Sequence, residues 1–350
     1  MSIPPPQAIL QALKLDPSRT KCTLDTSGLG SGFTNTSVLH ANTTTPDGTS
    51  QERKYFIKIS QDGAASKEMF QGEYESLNAI ANAVPGFCPR ALAWGPLGEN
   101  DAYFLATEFL ELRGRMARNS VDETSHSSLA YRLGRLHQTP APADPETGRR
   151  RYGFPVPTYC GDSRQQNTLT DRWADFYANE RLRAVSALSE EQNGPDEELR
   201  NLVERTAQQV VPRLLGDDHL GYDSQGRGEG IQPVVVHGDL WSGNTDFGRI
   251  VGTDMGDSEM GDLVYDASAS YAHSEFDLGI MHMFGGFGAD FFERYHRVVP
   301  KTEPVEEYDD RVRLYELYHH LNHQAIFGGG YRSGAMSIMN KLIRKYGEVH

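Results

Sequence analysis

Three consecutive valines, Val234-Val235-Val236, run directly into His237-Gly238-Asp239-Leu240-Trp241-Ser242-Gly243-Asn244. A short apolar run bounded by turn residues is the pattern of a fully buried strand, and the glycines that follow convert it into a loop. The chain must therefore fold so that a core strand presents a polar loop at its end. That loop carries a carboxylate at Asp239 and a side-chain amide at Asn244, five positions apart. The pair suits a reaction in which one group accepts a proton and the other offers an oxygen to a divalent cation. A plain polar turn, with His237 and Asp239 only capping the strand, is the competing reading.

Composition narrows the partners. A chain of 350 residues buries a sizeable core, as one large domain or as two lobes. Its net charge of −14 argues against a nucleic-acid or membrane surface, because phosphate backbones require clustered Lys and Arg. The run Arg149-Arg150-Arg151 is the one dense basic patch and reads as a solvated loop. No stretch of about 18 apolar residues could span a bilayer. The opening Met1-Ser2-Ile3-Pro4-Pro5-Pro6 lacks the basic-then-apolar layout of a secretion signal. Cys22, Cys88 and Cys160 are scattered and odd in number, which fits a reducing compartment. A cytoplasmic location is expected; the oligomeric state is left open.

The N-terminal third supplies complementary parts. Residues 27–35, Ser-Gly-Leu-Gly-Ser-Gly-Phe-Thr-Asn, precede two strand candidates, Thr36–His40 and Lys54–Ile59, joined by a turn at Pro46-Asp47-Gly48. Glycines entering a strand pair let backbone N–H groups approach phosphates, with Gly30 and Gly32 as the candidates; a glycine-rich surface turn would look the same. Alternation places Tyr55, Ile57 and Ile59 on one face and Lys58 on the other, among apolar neighbours. A lysine so placed snorkels to solvent or has a dedicated anion. The 65–83 stretch predicts a helix with Met69, Glu73, Leu77 and Ile80 on one stripe. An unpaired carboxylate there would be costly, so a Lys58–Glu73 pair is expected. That is the pairing by which protein kinases position ATP phosphates, and Asp239 and Asn244 reproduce the D-x-x-x-x-N spacing of their catalytic loop. Residues 101–110 then read as the strand that becomes the hinge, with Glu108 and Leu110 as the adenine positions, and a lobe boundary falls near Glu111.

A second metal carboxylate has three candidates. Asp246-Phe247-Gly248 spells D-F-G but starts two residues after Asn244, leaving no room for a hairpin. Asp254 follows a short apolar run, Ile250-Val251. Asp266 ends the apolar Leu263-Val264-Tyr265 and is favoured, with Asp254 its rival. Asp257, Glu259 and Asp262 read as a solvated turn. His319, His320 and His323 share a helix, but without a further ligand nearby a structural or substrate-facing role is expected rather than zinc.

Together these segments resemble the fructosamine-3-kinase (ketosamine-3-kinase) family, a branch of the aminoglycoside and choline phosphotransferase-like kinases. The resemblance rests on residues 237–244, on Tyr271-Ala272-His273-Ser274-Glu275-Phe276-Asp277-Leu278 and on Met283-Phe284-Gly285-Gly286-Phe287. It extends to Met69-Phe70-Gln71-Gly72-Glu73 and Leu321-Asn322-His323 and covers about Gln11 to Lys345. The implied fold is α+β and bilobal, protein-kinase-like. A small N-terminal antiparallel-sheet lobe binds ATP (residues 1–110), and a larger, mostly helical C-terminal lobe carries catalysis and substrate (111–350).

The implied reaction is ATP- and Mg²⁺-dependent phosphorylation of the 3-hydroxyl of a ribulosamine or fructosamine, on a glycated protein or a small ketosamine. The unstable product then decomposes and frees the amine. On this resemblance Asp239 is the base, and Asn244 and Asp266 hold magnesium. Lys58, positioned by Glu73, meets the phosphates that the Gly30 and Gly32 loop covers. Trp241 offers a face to the sugar, His323 lines the acceptor side, and Asp277 buttresses the loop. Kinases of another hydroxylated acceptor (aminoglycoside, choline or thioribose) and a silent nucleotide-binding scaffold are the alternatives. Three departures stand out: Asp266 is followed by Ala267 where the family has proline, the Asn244–Asp266 stretch is long, and the glycine loop lacks a cysteine.

Overall fold

The computed structural model describes residues 2–26, 34–45, 47–98, 101–114, 126–252 and 256–347. The expected phosphate-loop glycines Gly30 and Gly32 and the rival carboxylate Asp254 lie outside the described residues. Two compact units divide the chain: Met1–Arg132 with Thr245–Asp266, and Leu133–Asn244 with Ala267–His350.

The first unit is built on an antiparallel sheet. Strands β1 (Ser2–Ile3), β2 (Thr20–Asp25), β3 (Asn35–Thr44), β4 (Ser50–Ser60), β5 (Ala91–Pro96) and β6 (Tyr103–Leu112) are joined by helices α1 (Gln7–Ala12) and α2 (Ala64–Ala83). The sheet runs β1-β2-β3-β4-β6. The first half of β6 pairs with β4 and with β5, and its second half pairs with the returning strand Thr245–Val251. This last pairing explains why a single cut near Glu111 does not describe the division. Gly248 to Val251 register against Leu112 to Phe109, so the segment after the catalytic-loop motif is a sheet strand of the first unit. Asp246-Phe247-Gly248 lies inside that strand, opposite Leu263, Asp262 and Gly261.

Alternation along β4 works as the pattern requires. Tyr55 and Ile57 enter a core with Leu24, Leu39, Ala41, Phe104 and Ala106, each large side chain contributing about 1.5–3 kcal/mol by burial. Lys58 lies on the opposite face. Helix α2 packs on β5 and β6 through Phe70, Leu77, Ile80 and Ala81. Phe70, rather than Met69, is the fully buried residue of its first turns.

The second unit is mostly helical. Trp173, Phe176, Tyr177, Phe276, Tyr315 and Tyr318 form an aromatic centre, fully buried except for a trace at Tyr318. The polar ends of these rings have partners, as buried polar groups require: Trp173 Nε1 donates to Tyr315 Oη at 2.9 Å. The Val234–Val236 strand is fully buried and pairs antiparallel with Ser270–Ala272. A second small ladder joins Thr158–Cys160 to Ser163–Gln165.

Candidate active site

In the first unit, a cavity of ≈ 290 Å³ is lined by Phe56, Lys58, Glu73, Leu77, Leu110 and Asp266, among others. Lys58 Nζ donates to Glu73 Oε1 at 2.7 Å and to Asp266 Oδ1 at 2.6 Å. The expected Lys58–Glu73 pair is therefore present, and Asp266 completes a triad around one ammonium. Burial pulls the Lys58 ammonium down, but Asp266 and then Glu73 more than offset it, so the group stays above its ordinary range. Burial pushes the Glu73 carboxyl up, with Lys58 opposing and Asp266 adding to the rise. Asp266 has φ +56, a left-handed backbone that non-glycine residues hold only when surroundings impose it.

The candidate hinge residues line the same cavity. The Glu108 N–H donates to the Arg90 carbonyl at 3.0 Å, and its carbonyl accepts from Thr107 Oγ1 at 3.0 Å. Leu110 is registered opposite Ile250.

In the second unit, the strand Val234–Val236 delivers the 237–244 loop. Gly238 has φ +84, and a Cβ there would sit 1.9 Å from the Ser268 carbonyl oxygen, so only glycine fits. Asp277 anchors the same point: its carboxylate accepts the His237 and Gly238 N–H groups, both at 2.8 Å, and bonds His137 Nε2 at 3.0 Å. Burial works against the Asp277 charge, yet the His137 ring and the backbone donors hold its pKa below the usual carboxylate value. Asp277 thus supports the loop, as the sequence suggests.

Asn244 Nδ2 donates to the Asp239 carbonyl at 2.8 Å and lies 3.4 Å from Asp239 Oδ2. The amide nitrogen is thereby engaged by Asp239. Asn244 and Asp266 each carry a hard oxygen donor of the kind magnesium takes. In sequence the two flank a hairpin whose ends, Thr245 and Val264, are directly paired.

The Trp241 ring folds back over Gly243, where a Cβ would lie 2.1 Å from ring atom Cη2. Trp241 is 41% exposed and neighbours Phe284, with ring centroids 6.0 Å apart; Phe284 in turn lies 4.9 Å from His323. The structure therefore brings the two expected substrate residues onto one aromatic strip, through a phenylalanine that sequence reasoning did not single out. His323 Nδ1 bonds the His319 carbonyl at 2.8 Å. Among the described residues no cluster of three His, Cys, Asp or Glu side chains could hold a metal ion.

Comparison with known proteins decides the family. The fructosamine kinase family model matches residues 29–345. The chain belongs to the fructosamine kinase family. It is 30% identical to the ketosamine-3-kinase of Mus musculus over 83% of this chain and 88% of that one. It is 34% identical to a chain of Synechocystis named as a probable ketoamine kinase, over 84% of each. A structure assigned to a fructosamine-3-kinase of Thermobifida fusca superposes with TM-score 0.68 at 21% identity, covering 97% of this chain and 100% of that one, and shows the shared fold. The α+β architecture, with an antiparallel sheet before a helical region, is that of the kinase-like phosphotransferases. Among the described residues no helix is long and apolar enough to cross a membrane.

Proposed function

We propose that this protein is an ATP-dependent ketosamine 3-kinase that phosphorylates ribulosamines or fructosamines, on glycated proteins or on small amines, and so initiates deglycation. The observation that carries the reading is the ammonium of Lys58 held between Glu73 and Asp266 in a cavity, in a chain of this family.

Each residue then has a role. Asp239 accepts the proton of the 3-hydroxyl as that oxygen forms its bond to the γ-phosphorus. The bond from the γ-phosphorus to the β–γ bridging oxygen breaks, and ADP leaves. Asn244 and Asp266 are the residues that would hold Mg²⁺, which when bound neutralises charge on the β- and γ-phosphates. Lys58 exchanges a carboxylate for phosphate oxygens, and Glu73 fixes its direction. Glu108 and Leu110 present backbone to the adenine, and Gly30 and Gly32 let the loop approach the phosphates. Trp241 and His323 line the acceptor side, where aromatic faces meet the C–H surface of a sugar. Three free cysteines agree with a reducing, cytoplasmic setting.

Magnesium-dependent ADP release with ribulose-lysine, fructose-lysine, choline and kanamycin tests the reading. Turnover on a sugar-lysine alone is expected, and Asp239→Asn should lower it by roughly 10²–10⁴-fold. Activity only on choline or kanamycin would overturn the substrate class, and near-wild-type turnover by the variant would remove Asp239 from its role.

A further inference from the structure

Exposed aromatic surface is concentrated in one place. Among the described residues the exposed Phe and Trp side chains are Trp241, Phe284 and Phe327, and all three lie on a single run of rings. Trp241, whose N–H donates to the Asp239 carbonyl at 3.0 Å, neighbours Phe284, and Phe284 neighbours His323. The run does not stop there. Beyond His323 the next rings are Phe327 at 5.6 Å and Tyr331 at 5.1 Å, themselves 6.3 Å apart. Phe327 is 68% exposed, and aromatic surface grouped in this way marks a binding site.

The chain builds this end of the run on fixed backbone. The helix Tyr308–Phe327 ends at Phe327, and Gly328 and Gly329 follow at φ +65 and +63. That left-handed turn is open to glycine, and it reverses the chain so that Tyr331 opens the helix Tyr331–Tyr346 beside His323. Asn193 Nδ2 fastens the turn by donating to the Gln324 and Ala325 carbonyls at 3.1 and 3.0 Å, two acceptors that the helix end leaves unmatched. One turn on, a Cβ at Gly334 would sit 2.5 Å from His320 Cε1, so the two helices meet closely there.

His323, between these rings, offers one lone pair. Its Nδ1 lies 2.8 Å from the His319 carbonyl, and a carbonyl only accepts, so Nδ1 carries the hydrogen. Burial lowers the ring's pKa, with the His319 carbonyl opposing and His320 reinforcing, which keeps the imidazole neutral at neutral pH. Nε2 is then an acceptor, and among the described residues no side chain or backbone group donates to it. An acceptor flanked by aromatic faces suits a cation that also carries N–H. A ketosamine has such a group. Its nitrogen is a secondary amine, protonated at neutral pH, and only C1 and C2 separate it from C3. With the 3-hydroxyl at Asp239 and the sugar against Trp241, the ammonium falls further along the same aromatic run, and the carrier chain continues outward from it.

We propose that His323, Phe327 and Tyr331 form the seat of the substrate's secondary alkylammonium, and so select sugars carried on an amine over the same sugars without one. His323 Nε2 accepts an N–H of the ammonium. Phe327 and Tyr331 present ring faces to its charge and to the methylenes of a lysine-type carrier. The proposal rests on the ketosamine reading given above.

Fructose-lysine and its ether analogue, in which oxygen replaces the ketosamine nitrogen and the carrier chain is unchanged, provide the test. The wild type should prefer the amine in kcat/KM. Phe327→Ala should raise KM for fructose-lysine by about five- to tenfold, the scale of one cation–π contact in a partly desolvated site, with kcat and KM for ATP within about twofold. The preference for amine over ether should fall by the same factor, and Tyr331→Leu should act in the same direction. An unchanged KM, a loss of equal size on amine and ether, or a wild type that does not distinguish the two overturns the proposal. If Tyr331→Leu does not fold, Phe327→Ala decides alone, because its side chain is exposed. A wild type silent on fructose-lysine and ribulose-lysine but active on kanamycin would refute the ketosamine reading itself, so the two failures are separable.

Discussion

Glu73 and Asp277 are two nearly buried carboxylates, and they are satisfied in opposite ways. Glu73 leans on one flexible ammonium that it shares with Asp266. Asp277 is gripped by two backbone N–H groups and a histidine ring. The first arrangement can exchange partners, because Lys58 can turn from a carboxylate to an incoming phosphate. The second cannot, because its donors belong to the chain itself. A buried charge held by side chains is thus a candidate for chemistry, and one held by backbone is a candidate for architecture.

The largest expected effect breaks the first arrangement. Lys58→Met should lower kcat/KM by roughly 10²–10³-fold, the scale set by losing one preorganised cationic donor. It also leaves Glu73 buried without its cation, so stability falls as well. The double variant Lys58→Met/Glu73→Met separates the two consequences. Replacing a buried ion pair by packed apolar groups is often neutral for folding, so the melting temperature should recover while activity stays lost. Recovery of activity together with stability would show that the triad serves only the fold.

Asp277 should behave the other way round. Asp277→Asn keeps the shape but turns an amide N–H toward a backbone N–H, leaving at least one donor unsatisfied. The expected cost is about 2–4 kcal/mol of unfolding free energy, read by urea denaturation. Turnover per folded molecule should fall far less than in Lys58→Met. A variant that folds with full stability yet loses turnover would make Asp277 a chemical group and dissolve the distinction.

How far the sequence foretold this contrast depends on the range of the signal. Lys58 and Glu73 were legible because strand and helix periodicity are local, and an ion between apolar neighbours demands a partner. Asp239 and Asn244 were legible because their spacing lies inside one loop. The helix over 65–83 was foreseen and buries Leu77 and Ile80 of its expected stripe, while Phe70 takes the core position expected of Met69. The division of the chain was not foreseen, because only the pairing of Leu112 with Gly248 returns the hairpin to the first sheet. Phe284 was equally hidden: it meets Trp241 through tertiary packing, which no local period encodes. The role of Gly243 became clear only once the Trp241 ring was seen above it.

Acid should sharpen the comparison by a smaller effect of opposite sign in the two regions. His273 is buried beside Asp277's helix and bonds Tyr315 Oη and Thr302 Oγ1, both at 2.8 Å. Burial lowers its pKa from 6.5 to about 4, with Glu275 opposing and Arg311 reinforcing. Burial, and next His323, lowers His319 to about 3. Between pH 6.5 and about 4 the unfolded chain therefore binds more protons at these rings than the folded one. Their contribution to stability is complete above 6.5 and is lost as pH falls, by about 1.4 kcal/mol per unit for each ring. Glu73 runs the other way, because its raised pKa means that the folded state takes up its proton first as pH falls. Asp277 and Glu275, with lowered pKa values, stay charged until below the usual carboxylate range. In the interval from pH 6 to 5 Asp277 and Glu275 therefore stay charged, and the histidines drive the fall in stability. Urea denaturation at pH 6 and pH 5 should show stability falling, and His273→Gln should remove about one proton's share of that slope. An unchanged slope in the variant would mean that His273 is not held neutral in the folded protein, and the acid response would then have to be sought among the more exposed rings of His282, His296 and His323.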